Sequence, residues 1–563
     1  MPAAFDRPDV LRRLASTHFD VLVIGGGITG AGCALDAASR GLRTALVERD
    51  DFASGTSSKS SKLVHGGLRY LQQGDVRLVY EALHERQRLR HNAPHLVRIL
   101  PFLLPVFAGK GGVVPKKLSR ALGSAMWMYD LTGGYRIGKL HKRISPREAL
   151  EHMPTLRTDR LAASYLYYDA QADDARLTLT VARTAALDFG AAVANGVGVL
   201  EILKDSAGRA RGVRAAADDE ELEIRADAVV NAAGVWADEV RALDEGADPH
   251  TIRPAKGVHI TVPWAKVRND IAAVVPVPKD KRSVFVVPWG AFTYIGTTDT
   301  DYDGPLHDPQ CTRDDIDYLL RAINFSVTSE ITERDITGTW AGLRPLVRDA
   351  ASERTADLSR RHQVQWSPSG VVTITGGKLT TYREMAAETI DEVLEHVLGA
   401  KVLERAQRHS RTKRLRLRGA AGYEELRSSE LEAAKVGRAT LEHLADRYGG
   451  EARTLLAMIE RDPGLSRPLV EGLPYLRAEA VYAARYEMAR TLDDILSRRT
   501  RARLLGRDAS AAAAPEVAAL VAPDLGWDRT EQARQVDDYR QQVEHERHVP
   551  DLPETALDAA MGA

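Results

Sequence analysis

Cysteine is nearly missing from this chain: Cys33 and Cys311 are the only two in 563 residues. Two distant thiols make no disulfide framework, and a reducing compartment is their natural setting. An excess of either charge is missing as well. The net charge is −1, which excludes a global field drawing the chain to nucleic acid. No apolar run is long enough to span a bilayer. The nearest, Ile99 to Phe107, is short, holds Pro101 and Pro105, and reads as a buried strand. The first residues, with Asp6, Arg7, Asp9, Arg12 and Arg13, lack the apolar centre of a signal peptide. What remains, 44% apolar and 28% charged residues, fits an ordinary soluble protein with room for two or three domains.

Against that plain background, Asp20 to Glu48 is a complete nucleotide-binding unit. An apolar strand meets Gly25-Gly-Gly27-Ile-Thr-Gly30. A helix of small residues follows, then a second apolar strand ending on Glu48. A glycine triplet alone is weak evidence, but here its whole context is present. Gly25 permits the tight turn, Gly27 lets backbone approach a pyrophosphate, and Gly30 lets the helix press on the sheet. The helix N-terminus offers amides and partial positive charge to phosphates. Glu48 can accept from both ribose hydroxyls and repels a 2′-phosphate, which favours FAD or NAD over NADP. Ser57, Ser58, Ser61, Lys62, His65, Gly66 and Gly67 follow in a small, hydroxylated stretch able to lie along an extended cofactor. Nicotinamide enzymes need no such stretch, so it favours FAD.

Further on, the patterning predicts a helical extension over the first fifteen or so residues, a helix from Val76 to about His91, and strands at Ala228 to Asn231, Val258 to Pro263, Val284 to Pro288, Tyr294 to Thr298 and Val371 to Thr375. A turn at Ala232-Ala233-Gly234 ends one strand. Gly376-Gly377 ends another and opens a helix from about Thr380 to Val397, with Thr381 and Glu384 at capping-box spacing. Its N-terminus, with Gly376, Gly377, Lys378, Leu379 and Thr380, suits the charge that collects near flavin N1 on reduction. From about Ala400 the composition turns helical through Arg503, which reads as a separate helical domain with a basic linker, Arg411 to Arg418. Residues 546 to 563 read as a loose tail. Lys110 to Arg143 is basic and dotted with Trp127 and Tyr129, a candidate contact with an anionic bilayer or a solvated basic loop. Cys33 reads as a small buried packing residue. Pro94 breaks the spacing of His91 and His95, so no metal site is expected.

Taken in order, these pieces resemble the FAD-dependent, quinone-linked glycerol-3-phosphate dehydrogenases. The resemblance rests on the glycine turn, Ser60-Ser-Lys-Leu-Val-His-Gly-Gly-Leu-Arg-Tyr70, Asp173-Asp-Ala-Arg-Leu177, Asn231-Ala-Ala-Gly234, Lys256-Gly-Val-His259, Gly296-Thr-Thr-Asp299, Gly342-Leu-Arg-Pro345 and Gly376-Gly-Lys-Leu-Thr-Thr-Tyr-Arg383. It covers Phe19 to Arg503. It implies an α/β fold: a Rossmann-like FAD-binding domain (15–80, 165–240, 335–400) interleaved with a β-rich substrate lobe (81–164, 241–334). An all-helical C-terminal domain (405–545) completes it. It implies non-covalent FAD, glycerol 3-phosphate as substrate, a membrane quinone as acceptor, and a peripheral place on the inner face of the cell membrane. Arg69, Tyr70, Arg344, Arg360 and Lys378 match the substrate pocket. Several cations converging on one point are what a phosphate dianion needs. Arg361 adjoins Arg360, and the sequence does not separate them. His259 is the expected base, with Arg344 stabilising the developing alkoxide. Oxygen as acceptor, or an amino-acid or amine substrate held by Arg344, are the alternatives the residues leave open, as is dimerisation through the helical domain. A flavin-bearing RNA-binding or scaffold protein without turnover is the reading from another class, and the near-zero net charge speaks against it.

Overall fold

The computed structural model describes residues 5–67, 76–107, 124, 126–133, 137–159, 161–280, 282–348, 362–557 and 561. Two sheets share the work. The first runs, from edge to edge, Gln363–Trp366, Val372–Thr375, Glu220–Asn231, His18–Ile24, Thr44–Val47, Ala192–Ala194, with the hairpin Val197–Lys204/Ala210–Ala217 attached. Its inner strands are parallel: Ile24 lies beside both Asn231 and Val47, and Asn231 beside Thr373. Parallel strands covered by helices read as continuous apolar runs, and Val21, Leu22, Val23, Leu46, Val229 and Val230 are all buried. The carboxyl ends of four strands therefore open on one side, at Gly25, Glu48, Ala232 and Gly376. That is where ligands bind in sheets of this kind.

The second sheet is antiparallel apart from one pair. It is built around Ile252–Pro263, which pairs with Gly338–Val347 on one side and Phe292–Gly296 on the other. Side chains alternate across it. Val258, Ile260, Val284, Val286 and Ile295 bury one face with the helix Arg313–Ser326. Tyr294, Trp340, Tyr165 and Tyr167 face the other way in an aromatic cluster. The strand Gly338–Val347 belongs here along its whole length, although its position in the chain had suggested the first sheet.

Helices from Tyr423 to His548 form the C-terminal region around two apolar clusters. The expected helices Arg7–Ser16 and Val76–Asn92 are present. Two expectations need correction. The helix after Gly377 begins with a 3-10 turn, Leu379–Thr381, then runs Tyr382–His396. Thr381 makes no capping box there, because its hydroxyl turns to the Lys378 carbonyl and Met385 sulfur. The stretch after residue 548 is not loose as far as it is described. Leu552 enters the core of the second sheet and Leu557 that of the helical region, while Thr555 donates to the Ile336 carbonyl.

Candidate active site

A cleft of about 1170 Å³ opens at the strand ends. Its walls include Gly25, Gly27, Glu48, Ser57, Ala233, Gly234, Gly376, Gly377, Lys378 and Leu379. Gly25 takes φ +110°, and a side chain there would meet the Ala232 carbonyl at 2.7 Å. Gly30 lies so close to the strand that a Cβ would stand 1.9 Å from the Gly25 carbonyl oxygen. The helix Ile28–Ser39 can therefore sit with its N-terminus at the cleft. That helix has no side-chain cap of its own on Gly27; the Ser57 hydroxyl accepts from the Ile28 amide at 2.9 Å instead. Gly27 is open, since a Cβ there would meet only Ser57 Oγ, at 3.2 Å. At the far end Glu48 accepts from the amides of Gly26 (2.6 Å) and Asp50 (2.9 Å). Surrounding protein pushes its carboxyl up to about 7 against the pull of those amides. An open backbone cradle at a helix N-terminus, a carboxyl at one end, and Lys378 beside a second helix start at the other fit an extended flavin dinucleotide. Arg49 stacks over Trp236 at 5.2 Å on the same wall.

The segment after Ser57 leaves this cleft and runs along the aromatic face of the second sheet. The Trp340 indole donates to the Ser60 carbonyl (3.2 Å), and the Tyr294 hydroxyl donates to the Ser61 carbonyl (2.9 Å). Ser61 Oγ meets His259 Nε2 at 2.9 Å. His259 pairs across strands with Gly296 on one side and Trp340 on the other, and its ring stacks on Trp340 at 4.7 Å. Gly296 is what leaves room for the ring: a Cβ there would fall 2.1 Å from His259 Cδ2. His259 is buried, and Nδ1 has no hydrogen-bond partner among the described residues. Burial, then the nearby charges of Lys62 and Arg344, hold it well below the ordinary imidazole range. It is an uncharged histidine at neutral pH.

Arg344 shares that face. In the two strands Ala255 opposes Arg344, Gly257 opposes Gly342, and His259 opposes Trp340. A Cβ on Gly257 would collide with the Arg344 guanidinium at 2.5 Å, so the glycine lets the arginine fold inward. Arg344 donates to Asp299 (2.9 Å) and Thr297 (3.2 Å), which explains the Gly296-Thr-Thr-Asp299 motif.

The expected residues thus divide. Gly25, Gly27, Glu48, Ser57, Ala233, Gly234, Gly376, Gly377, Lys378 and Leu379 line the cleft. Ser61 lies on His259, and Thr380 on the His65 backbone. Ser58 and Lys62 do not line the cleft: Lys62 Nζ donates to the Ser58 carbonyl and Asp174, both at 3.0 Å, and Arg501 from the C-terminal region donates to the same carbonyl at 3.4 Å. Arg69, Tyr70 and Arg360 fall outside the described residues. Of the candidate bilayer contact, Trp127 is 54% exposed, but Tyr129 is buried; the helical turn faces it inward. Sequence reasoning had quoted Asp173 and Asp174 without a role. Asp174 holds the Ser60 amide (3.0 Å) and hydroxyl (2.7 Å), which sets the loop that carries Ser61.

Comparison with known proteins places the chain as a whole. Residues 20–383 match the FAD dependent oxidoreductase family. Residues 410–532 match the C-terminal domain of alpha-glycerophosphate oxidase. Glycerol-3-phosphate dehydrogenase 2 of Mycobacterium tuberculosis is 42% identical over 544 residues, covering 95% of this chain and 90% of that protein. The human mitochondrial glycerol-3-phosphate dehydrogenase is 39% identical, covering 96% and 75%. Among solved structures, the glycerol-3-phosphate dehydrogenase from Bacillus halodurans complexed with FAD superposes with a TM-score of 0.76 at 30% identity, over 95% of this chain and 97% of that one. FAD is accordingly the cofactor the cleft is built for. Since both matched regions occur in order and the likeness runs through nearly the whole length, the chain belongs to the FAD-dependent glycerol-3-phosphate dehydrogenase family.

Proposed function

We propose that the protein oxidises sn-glycerol 3-phosphate to dihydroxyacetone phosphate and that a membrane quinone receives the electrons. The names of its relatives support the substrate. The observation that carries the chemistry is an uncharged, buried His259 on the same sheet face as Arg344. FAD, held non-covalently, supplies the two-electron acceptor at N5 for the hydrogen leaving C2 as hydride. His259 takes the hydroxyl proton. An imidazolium in that buried place is costly, and a phosphate dianion entering beside it offsets part of the cost. Arg344 steadies the developing alkoxide, and Lys378 adds a second cation for the phosphate. Arg69, Tyr70 and Arg360 complete the anion grip in this reading.

Trp127, Met128, Leu131 and Leu140 are exposed on one part of the surface. Lys139, Lys142 and Arg143 adjoin them in sequence. Apolar rings with basic neighbours suit a peripheral contact with an anionic bilayer at the inner face of the cell membrane. No helix among the described residues is long and apolar enough to cross a membrane.

The decisive experiment is an anaerobic spectrum of the flavinated protein before and after glycerol 3-phosphate. The flavin band should bleach, and a panel of D-amino acids should leave it unchanged. His259→Gln should slow bleaching by about a hundredfold or more with FAD content intact. An effect confined to KM would count against His259 as base. Reduction of a quinone analogue without peroxide release is the expected acceptor result; stoichiometric peroxide would reassign the acceptor to oxygen.

A further inference from the structure

Residues 126–131 form a turn and a half of helix with two opposed faces. Trp127, Met128 and Leu131 point to solvent, whereas Met126 and Tyr129 are buried. The Tyr129 hydroxyl reaches inward to the Asp169 carboxylate, 2.8 and 2.7 Å from its two oxygens. It also accepts the Gly66 amide at 3.1 Å, and Asp169 accepts the same amide at 3.3 Å. Arg86, fully buried, pairs with Asp169 at 2.5 Å and donates to the Tyr168 carbonyl at 3.0 Å. Burial first, and then the Asp169 charge, keep the phenol protonated far above its ordinary range, so it remains a donor. Two buried polar groups thus accept from one backbone amide, with Arg86 backing the Asp169 carboxylate. Buried networks of this kind carry a heavy penalty if left half satisfied.

That amide belongs to a segment held from its other side by the cleft. The His65 amide donates to Thr380 Oγ1 at 3.2 Å, directly after the cleft residues Gly377 to Leu379. The His65 ring stands edge-on to Phe285 at 6.0 Å. Phe285 pairs across strands with Gly296, and Gly296 with His259. The backbone from His65 to Gly67 therefore bridges the flavin end of the cleft and the cross-strand row that carries the base. Its position is set by Thr380 on one side and Tyr129 on the other.

We propose that Tyr129, backed by Asp169 and Arg86, is a positioning residue for the oxidation: it fixes the His65–Gly67 backbone against the site without touching substrate or cofactor. This rests on the function proposed above. The hydroxyl contributes by geometry alone, since a misplacement of about 1 Å far from the chemistry can cost a hundredfold in rate.

The test is Tyr129→Phe, which keeps the ring packing and removes only the oxygen. The protein should take up a full equivalent of FAD and show a KM for glycerol 3-phosphate within about twofold of the parent. Its anaerobic flavin reduction should slow about tenfold. Amide exchange read by mass spectrometry on the fragment spanning His65 to Gly67 should speed up at least tenfold, with the Gly25–Gly30 fragment unchanged. Because Tyr129 acts through the site, its effect and that of His259→Gln should fall short of multiplying in the double variant. A parental rate in fully flavinated Tyr129→Phe would overturn the proposal. So would unchanged exchange at His65–Gly67, or loss of FAD uptake, which would make the hydroxyl a support of the cleft instead. If glycerol 3-phosphate fails to bleach the parent protein, the function falls, and the exchange measurement alone then judges the clamp.

Discussion

The nucleotide cleft and the joint to the C-terminal helices solve opposite electrostatic problems. The cleft presents backbone amides, glycines and a few hydroxyls, with little fixed charge of its own along the Gly25–Thr29 turn. The joint is packed with charge. Asp51 lies between Arg498 (2.6 Å) and Arg499 (2.7 Å), and Asp173 between Arg447 (3.1 Å) and Arg501 (2.8 Å). Asp174 takes Lys62 and Arg501, and Arg176 takes Glu487. The reason for the contrast is permanence. A cleft receives its negative charge with the ligand, so it needs donors that cost little when the ligand is away. The joint's charges are largely buried in the folded chain whether or not a ligand is bound, so each must be met at all times.

The harshest way to break this contrast is to remove one shared cation from the joint. Arg501→Ala removes the cation that Asp173 and Asp174 share and leaves two buried acids with one cation each, Arg447 and Lys62. We expect a loss of about 3–5 kcal/mol in unfolding free energy, read by denaturant melts of the flavinated protein. A loss below about 1 kcal/mol would mean that water already reaches the joint. Replacing Arg501 and Lys62 by Met together with Asp174→Asn should recover much of the loss, because Asp173 keeps Arg447 and no charge is then stranded. The pH dependence follows with its sign. Burial raises Asp51, but Arg499 and Arg498 more than offset it and hold it at about 2. Its contribution is therefore complete above the ordinary carboxylate value of 3.8 and disappears only as pH falls toward about 2.

The same contrast explains what the sequence discloses. The cleft is local: strand, glycine turn, helix and acid fall within Asp20 to Glu48, so spacing alone carries their roles. The joint is distant. Arg176 meets a residue 311 positions away, and Arg499 one 448 positions away. A buried arginine looks like a surface arginine in one dimension, and most arginines in ion pairs are exposed. Asp173 and Asp174 were visible only as a motif without a task. Arg344 was visible as part of the Gly342-Leu-Arg-Pro345 motif. Its alternation with glycine across two strands was not, since register depends on which strands pair. The stretch after residue 548 misled for a related reason: Leu552 and Leu557 are isolated apolar residues whose cores lie elsewhere in the chain.

Arg344 sits between the two regimes, and its variants sharpen the comparison. It has joint-like partners in Asp299 and Thr297, yet is partly open at 22% side-chain exposure. Arg344→Ala should lower kcat/KM by roughly a hundredfold, about 2–3 kcal/mol of transition-state binding. Because Arg344 is itself partly open, where Arg501 is only 2% exposed, folding stability should fall far less than in Arg501→Ala. Arg344→Lys keeps the charge but loses the planar fork, and should recover only a minor part of the activity. A stability loss matching that of Arg501→Ala would place Arg344 in the joint and remove it from the substrate's reach.

The mildest effect at neutral pH belongs to Glu48, one of three acids, with Asp50 and Glu239, that line the cleft. Its raised value of about 7, against an ordinary 4.5, means that the ligand-free fold prefers the protonated form. Ligand-free stability is therefore eroded, not gained, as pH rises from about 4.5 through about 7. Ribose hydroxyls donating to the carboxylate favour the ionised form, so FAD uptake should release a proton. FAD affinity should then climb as pH rises toward about 7 and level off above it. Glu48→Gln mimics the neutral acid, so its titration by FAD should be flat with pH. Near pH 7, where the native carboxyl is already half protonated, the variant should bind FAD only a few-fold more weakly. By pH 8 the gap should approach tenfold, about 1.4 kcal/mol. If the native slope survives in Glu48→Gln, the titrating group lies elsewhere. The cleft would then have to be counted, like the joint, among the regions whose acids are permanently compensated.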